Sequence, residues 1–114
     1  MIIVRITMKV LPEKQKEVMQ TLLSIIETSG KEKGCLSYEV FCDLDGKTVF
    51  NLIQEWETRE DLDHHIRSDR FSVLLGTKSL LAKPLEMNIH TVSQSEGVEV
   101  VHALRGMGTF KKKL

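Results

Sequence analysis

The sequence predicts an α+β domain of the ferredoxin-like, split βαβ type with an antiparallel sheet, and three features carry that reading. An alternating apolar run at the N-terminus leads directly into a long stretch of helical periodicity. Two β-rich runs then flank an Asp-Gly pair. A second helix-start signal precedes a last β-rich run. The order β, long α, β, β, α, β sets the helices on one side of the sheet. With 114 residues, 41% of them hydrophobic, the chain has material for one core and little for a second.

In the first strand Ile2, Val4, Ile6, Met8 and Val10 alternate with Ile3, Arg5, Thr7 and Lys9, which leaves one clean apolar face. Pro12 and Glu13 suit a first helical turn, where the missing proline N–H costs nothing. Val18, Met19, Leu22, Leu23, Ile25 and Ile26 then recur at helical spacing until Gly30 or Gly34 ends the run. GCLSYEVFCDLDGKTVFNLIQEW reads as two antiparallel strands around Asp45 and Gly46, a pair that accepts the positive φ angles of a tight hairpin turn.

Thr58 followed by Asp61 has capping-box spacing, and Leu62, His65 and Ile66 share the inward face of the helix it opens, while His64 points elsewhere. Ser68 suits the N-cap of a further short helical segment that Gly76 interrupts. Beyond Pro84, EMNIHTVSQ reads as the last core strand. GVEVVHAL, from Gly97, has β-propensity enough for an edge strand or for one that crosses to a partner chain, and the terminal KKK reads as a solvated tail. The expected organisation is therefore a domain over residues 1–93 and a C-terminal extension over 94–114.

Sixteen basic and sixteen acidic residues cancel, so no global field draws nucleic acid or an anionic membrane. Arg5 and Lys9 interrupt the N-terminal apolar run that a secretory signal needs, and no later run has the length of a membrane span. A soluble, cytoplasmic protein is expected. Cys35 and Cys42 are seven positions apart in one predicted strand. On a regular strand they face opposite sides at roughly 23 Å and cannot pair.

The strands are apolar on more than one side: Leu36, Tyr38 and Val40 alternate with Cys35 and Phe41, and Phe50 and Leu52 with Val49 and Ile53. An uncovered second face would be a large apolar patch, so a homodimer packed sheet against sheet is expected.

The chemistry concentrates in QEWETREDLDHHIRSDRF, residues 54–71. His65 shares a helical face with Leu62 and so points inward, either as a core histidine bonded to a backbone carbonyl or Tyr38, or as a general base of near-neutral pKa. Trp56 is the only tryptophan and offers a flat wall at a strand end, for a pocket or for packing. Gln54 lies on the face of Trp56, with Asn51 and Glu55 on the other. Tyr38 has a hydroxyl able to orient a phenolic ligand, His90 lies in the last strand, and Arg5 suits a rim. Phosphate-loop, zinc-protease and nucleophile-elbow patterns are missing. His64 and His65 diverge by about 100° on a helix, so no metal site is expected.

GCLSYEVF, the hairpin, and EWETREDLDHHIRSDRF together resemble the antibiotic biosynthesis monooxygenase domain family, which includes quinol monooxygenase-like proteins, over roughly residues 2–93. The resemblance implies a dimeric α+β barrel. It also implies a cleft between helices and sheet for flat aromatic or hydroquinone-type substrates, oxygenated by molecular oxygen without metal or flavin. His65 is carried over as the pocket histidine and the base or proton shuttle, and Trp56 and Tyr38 as pocket or framework aromatics, with Tyr38 or Asn51 as the orienting hydrogen-bond partner.

Gln54 stands where relatives often carry an acid, and Asp69 and Arg70 stand in place of a frequent Pro-His. Arg5, His65 and Leu75 replace the Asn, Trp and His of the haem-degrading branch. Haem degradation is therefore not expected. Gln54, Asp69 and Arg70 favour a second reading, a non-catalytic dimer that binds an aromatic metabolite or serves as an accessory module, and relatives of the fold leave a third open, an isomerase of a small oxygenated metabolite.

Overall fold

The computed structural model describes residues 1–106. Strand β1 spans Ile2–Lys9 and leads through a 3-10 turn at Pro12–Lys14 into helix α1, Gln15–Ser29. Strands β2, Cys35–Cys42, and β3, Val49–Trp56, form the hairpin. Helices α2, Arg59–Ile66, and α3, Asp69–Leu75, follow, then strand β4, Glu86–Thr91, and helix α4, Val98–Leu104. The four strands are antiparallel in the order β2-β3-β1-β4, the arrangement of a ferredoxin-like domain.

One face of the sheet carries the core. Val4, Ile6 and Met8 of β1 and Phe50, Leu52 and Trp56 of β3 are buried there against Val18, Leu22 and Ile25 of α1, Leu62 of α2, and Phe71 and Leu74 of α3. Burial of side chains of this size contributes about 1.5–3 kcal/mol each. The helical stripe is narrower than the sequence pattern, since Met19 and Leu23 are exposed.

Three local expectations change. The hairpin is not closed by a tight turn at Asp45-Gly46. The carboxylate of Asp43 accepts from the backbone N–H groups of Gly46 at 3.1 Å and Val49 at 3.0 Å, and the positive φ, 55°, falls at Lys47. These bonds hold Asp43 below the usual carboxylate pKa. Cys35 and Cys42 do not face opposite sides either. The register slips between Cys35 and Ser37, so Leu36 is a bulge residue, and Cys35 pairs with Trp56 and Cys42 with Phe50, both core-facing. Both thiols are free.

The third change is at GVEVVHAL, expected as a strand and found as α4. Valines do not bar a short helix when its start is satisfied locally. The Glu99 carboxylate accepts from the N–H of Gly97 at 2.9 Å, and His102 is buried. Residues 107–114, with the lysine run, lie outside the described residues.

The second sheet face is mixed rather than oily. Ile3, Phe41, Val49 and Ile53 share it with Arg5, Thr7, Glu39, Asn51 and Glu55, as the register requires. Thr7 donates to Asn51 at 2.9 Å and Ser37 to Glu55 at 2.7 Å. No helix among the described residues is long and apolar enough to cross a membrane.

Candidate active site

Four segments converge on His65. Trp56 ends β3 with its side chain inward and fully buried. Two residues on, Thr58 caps α2 by accepting from the Asp61 N–H at 3.1 Å, and its hydroxyl donates to the Asp61 carboxylate at 2.9 Å. The helix so started places His65 one turn beyond Leu62 and on the same buried face. Ser68 then donates to the His65 carbonyl and caps α3 by accepting from the Phe71 N–H at 3.3 Å, so the short α3 is anchored to the end of α2.

The fourth segment is the loop after α1. Gly34 has φ 83°, and a Cβ there would lie 2.1 Å from the Asp61 carboxylate. Its carbonyl accepts from the Glu57 N–H at 2.8 Å. Only glycine permits both the conformation and the approach. The loop is thereby held against the start of α2, and Glu32 reaches His65.

The imidazole is 1% exposed, and its Nδ1 lies 2.7 Å from Oε2 of Glu32. The other carboxylate oxygen, Oε1, accepts from Arg70 at the surface. A carboxylate is acceptor-only, so Nδ1 carries the proton and Nε2 presents its lone pair. Around the ring stand Trp56, with centroids 4.7 Å apart and planes tilted by 31°, Phe71 edge-on at 5.6 Å, and Tyr38 edge-on at 6.1 Å.

Burial pushes the His65 pKa below its ordinary value, Glu32 pulls it back through charge and hydrogen bond, and Arg70 adds to the lowering. The imidazole is therefore neutral at pH 7. Burial also raises Tyr38 far above its usual range, so its hydroxyl stays protonated, and raises Cys35, with Glu32 contributing. Nε2 of His65, the Tyr38 hydroxyl and Nε2 of Gln54 are buried without a hydrogen-bond partner.

His65, Trp56 and Tyr38 thus come together as the sequence predicts, but the partner of His65 is the Glu32 carboxylate instead of a backbone carbonyl or Tyr38. Asn51 does not join them. It pairs with Thr7 and Phe41 on the far face of the sheet, where its amide oxygen is engaged by Thr7. Arg5 and His90 are exposed on that same far face.

Glu32, Gln54 and Phe71 complete the surroundings, and Glu32 carried no sequence signal, since KEKG reads as a solvated loop. The adjacency of Gln54 to Trp56 by strand alternation was the signal for its place. Among the described residues no group of three or more His, Cys, Asp or Glu could hold a metal ion.

Glu32 and Arg70, with Glu27, Thr28 and Lys31, line an open cleft of about 270 Å³. Two further clefts lie near Leu81 and Pro84. His65, Trp56 and Tyr38 border none of these three.

Known proteins share this architecture. A conserved protein of Methanosarcina mazei Go1 is 37% identical and superposes with a TM-score of 0.74, over 78% of this chain and 89% of its own. A Deinococcus radiodurans protein described as a candidate antibiotic biosynthesis monooxygenase is 21% identical with a TM-score of 0.79, over 85% of this chain and 97% of its own, and shares the fold. The uncharacterized protein sll1783 of Synechocystis is 31% identical over 96 residues, 83% of this chain. This chain spans only 65% of that relative's length. Residues 1–74 match the antibiotic biosynthesis monooxygenase family, and the chain belongs to that family.

Proposed function

We propose that the protein is a cofactor-independent monooxygenase that oxidises a small aromatic or hydroquinone-type substrate with molecular oxygen. The observation that carries this reading is the Glu32–His65 pair. The partly buried Glu32 carboxylate fixes the imidazole tautomer and leaves Nε2 as an unpartnered base inside an aromatic box.

Ground-state dioxygen reacts poorly with closed-shell organics, but a phenolate or hydroquinone anion gives up an electron readily and recombines. His65 Nε2 takes the substrate hydroxyl proton, and the Glu32 carboxylate stabilises the imidazolium that forms. One oxygen atom enters the ring and the other leaves as water, so that a hydroquinone and dioxygen yield a hydroxyquinone and water. Trp56 and Phe71 flank the ring and keep water out, and Tyr38 offers a hydroxyl to orient it. Asn51, on the far face, is left out of this proposal.

The same proposal makes the protein a homodimer in which Ile3, Phe41, Val49 and Ile53 meet their counterparts in a partner chain. A cytoplasmic setting, where both free cysteines stay reduced, is part of it.

A second reading, a non-catalytic binder of aromatic metabolites or an accessory module, is favoured by Gln54, Asp69 and Arg70, which stand where relatives often carry an acid and a Pro-His pair. Oxygen consumption with a panel of hydroquinones separates the two. His65→Ala, folded and in the parent's oligomeric state, is expected to lose activity by roughly 100-fold. Parent-like oxygen uptake by that variant overturns the catalytic reading, and conversion without oxygen points to isomerisation.

A further inference from the structure

Helix α4 turns an apolar side outward. Val98, Val101 and Leu104 recur at three-residue spacing and so lie along one side of the helix, where they are 63%, 46% and 83% exposed. His102 is buried, so the helix is seated on its own chain with this side left uncovered. Single exposed valines and leucines are ordinary, but three in line on a seven-residue helix form an edge suited to a groove. Glu96 and Glu99 stand at the start of the helix, and Arg105 follows its end.

A groove of matching character lies elsewhere in the chain. The clefts of about 470 and 450 Å³ share Lys78, Leu81 and Pro84 and so form one channel, which Leu75 and Leu85 extend with apolar surface. Lys78 and Lys83 flank it, and neither an acid nor any residue of α4 lines it. The groove lies just before β4, which begins at Glu86, and α4 follows the end of that strand at Thr91. The six-residue strand, about 20 Å long, separates the two within one chain. A two-fold axis perpendicular to β4 brings the end of one β4 beside the start of another, which sets each α4 next to the groove of the other copy.

We propose that α4 of one copy docks its Val98, Val101 and Leu104 side into the groove of a second copy, where Glu96 and Glu99 meet Lys78 and Lys83. The contact rests on the homodimer reading and adds to it an interface outside the sheet face. It covers an apolar helix and fills an apolar groove together, twice per dimer. The docked helix also covers Leu75 and Gly76 at the end of α3, the helix whose Phe71 stands edge-on to His65. Pairing thereby braces one wall of the candidate site.

Sedimentation of the full chain over a concentration series reads the dimer dissociation constant. Val101→Asp with Leu104→Asp, and separately Lys78→Glu with Lys83→Glu, are each expected to raise it about tenfold or more while the circular dichroism spectrum stays unchanged. Unchanged constants in both pairs overturn the proposal. Cross-linking tests it without weakening the contact: Val101→Cys chains are mixed with Pro84→Cys chains and treated with a short bis-maleimide, with each variant alone as the baseline. A covalent two-chain species above baseline in the mixture is expected. A link that forms only when both cysteines share one chain overturns the proposal in favour of α4 folding back on its own groove. Phe41→Lys, run beside these variants, separates the two interfaces. A dimer lost in Phe41→Lys but kept in the α4 and groove variants overturns this contact and keeps the sheet packing, and the opposite pattern upholds this contact and removes the sheet packing.

Discussion

The Glu32 carboxylate and the His65 imidazole lie 33 residues apart in the chain and 2.7 Å apart in space. Their meeting depends on two backbone devices: the left-handed Gly34 that presses the loop onto α2, and the Thr58 cap that starts α2 at the right residue. Arg70 closes the arrangement on the solvent side by engaging the other oxygen of Glu32.

The two charges around His65 act on it in opposite senses, so their removal is expected to move the acid limb of activity in opposite directions. Glu32 raises the His65 pKa, and Glu32→Gln should lower the limb and cut oxygen uptake by about tenfold or more through the lost support of the imidazolium. Arg70 lowers that pKa, and Arg70→Ala should carry the limb upward. Initial rates across a pH series check both, and limbs that shift together contradict the electrostatic arrangement.

Stability should follow pH through the same group. The folded-state pKa of His65 lies below its ordinary 6.5, so the unfolded chain takes up the proton first as pH falls. The contribution of neutral His65 is complete above 6.5 and declines below it until the folded form is also protonated. Thermal melts between about pH 8 and about pH 5 are expected to show this decline in the parent and a shallower one in His65→Gln.

Gly34→Ala is expected to destabilise the fold by about 2 kcal/mol or more, since it combines a disfavoured φ with a clash against Asp61. Urea denaturation measures the loss. A variant within experimental error of the parent shows that the loop moves aside freely.

If the second sheet face packs on a copy of itself, Phe41→Lys should shift sedimentation from a two-chain species toward a single chain while leaving the circular dichroism spectrum unchanged. Phe41 is 49% exposed in the protomer, so the substitution disturbs little of the core. A parent that sediments as one chain at micromolar concentration removes the dimer.

Much of the fold was legible because alternation in β1 and β3 and the spacing of Val18, Leu22 and Ile25 report directly which side faces the core. The caps at Thr58 and Ser68 were equally local signals. What escaped depended on distant or inserted residues. Glu32 becomes a partner of His65 only through tertiary approach, and nothing in Lys-Glu-Lys-Gly distinguishes it from a wet loop. The cysteine geometry failed because a bulge shifts parity without leaving a mark in hydropathy. Asn51 lies apart from the His65 cluster for a simpler reason: alternation from Trp56 already turns it to the other face.

Leu36 is the residue that β2 can spare. Its neighbours Cys35 and Ser37 are paired with consecutive residues of β3, so cutting Leu36 out would leave a regular ladder with Tyr38 still turned toward His65. Removing any one residue between Ser37 and Phe41 would instead turn one end of the strand inside out. Natural length variation at this edge, and any engineered shortening of it, should therefore be tolerated at one position and rejected by its neighbours.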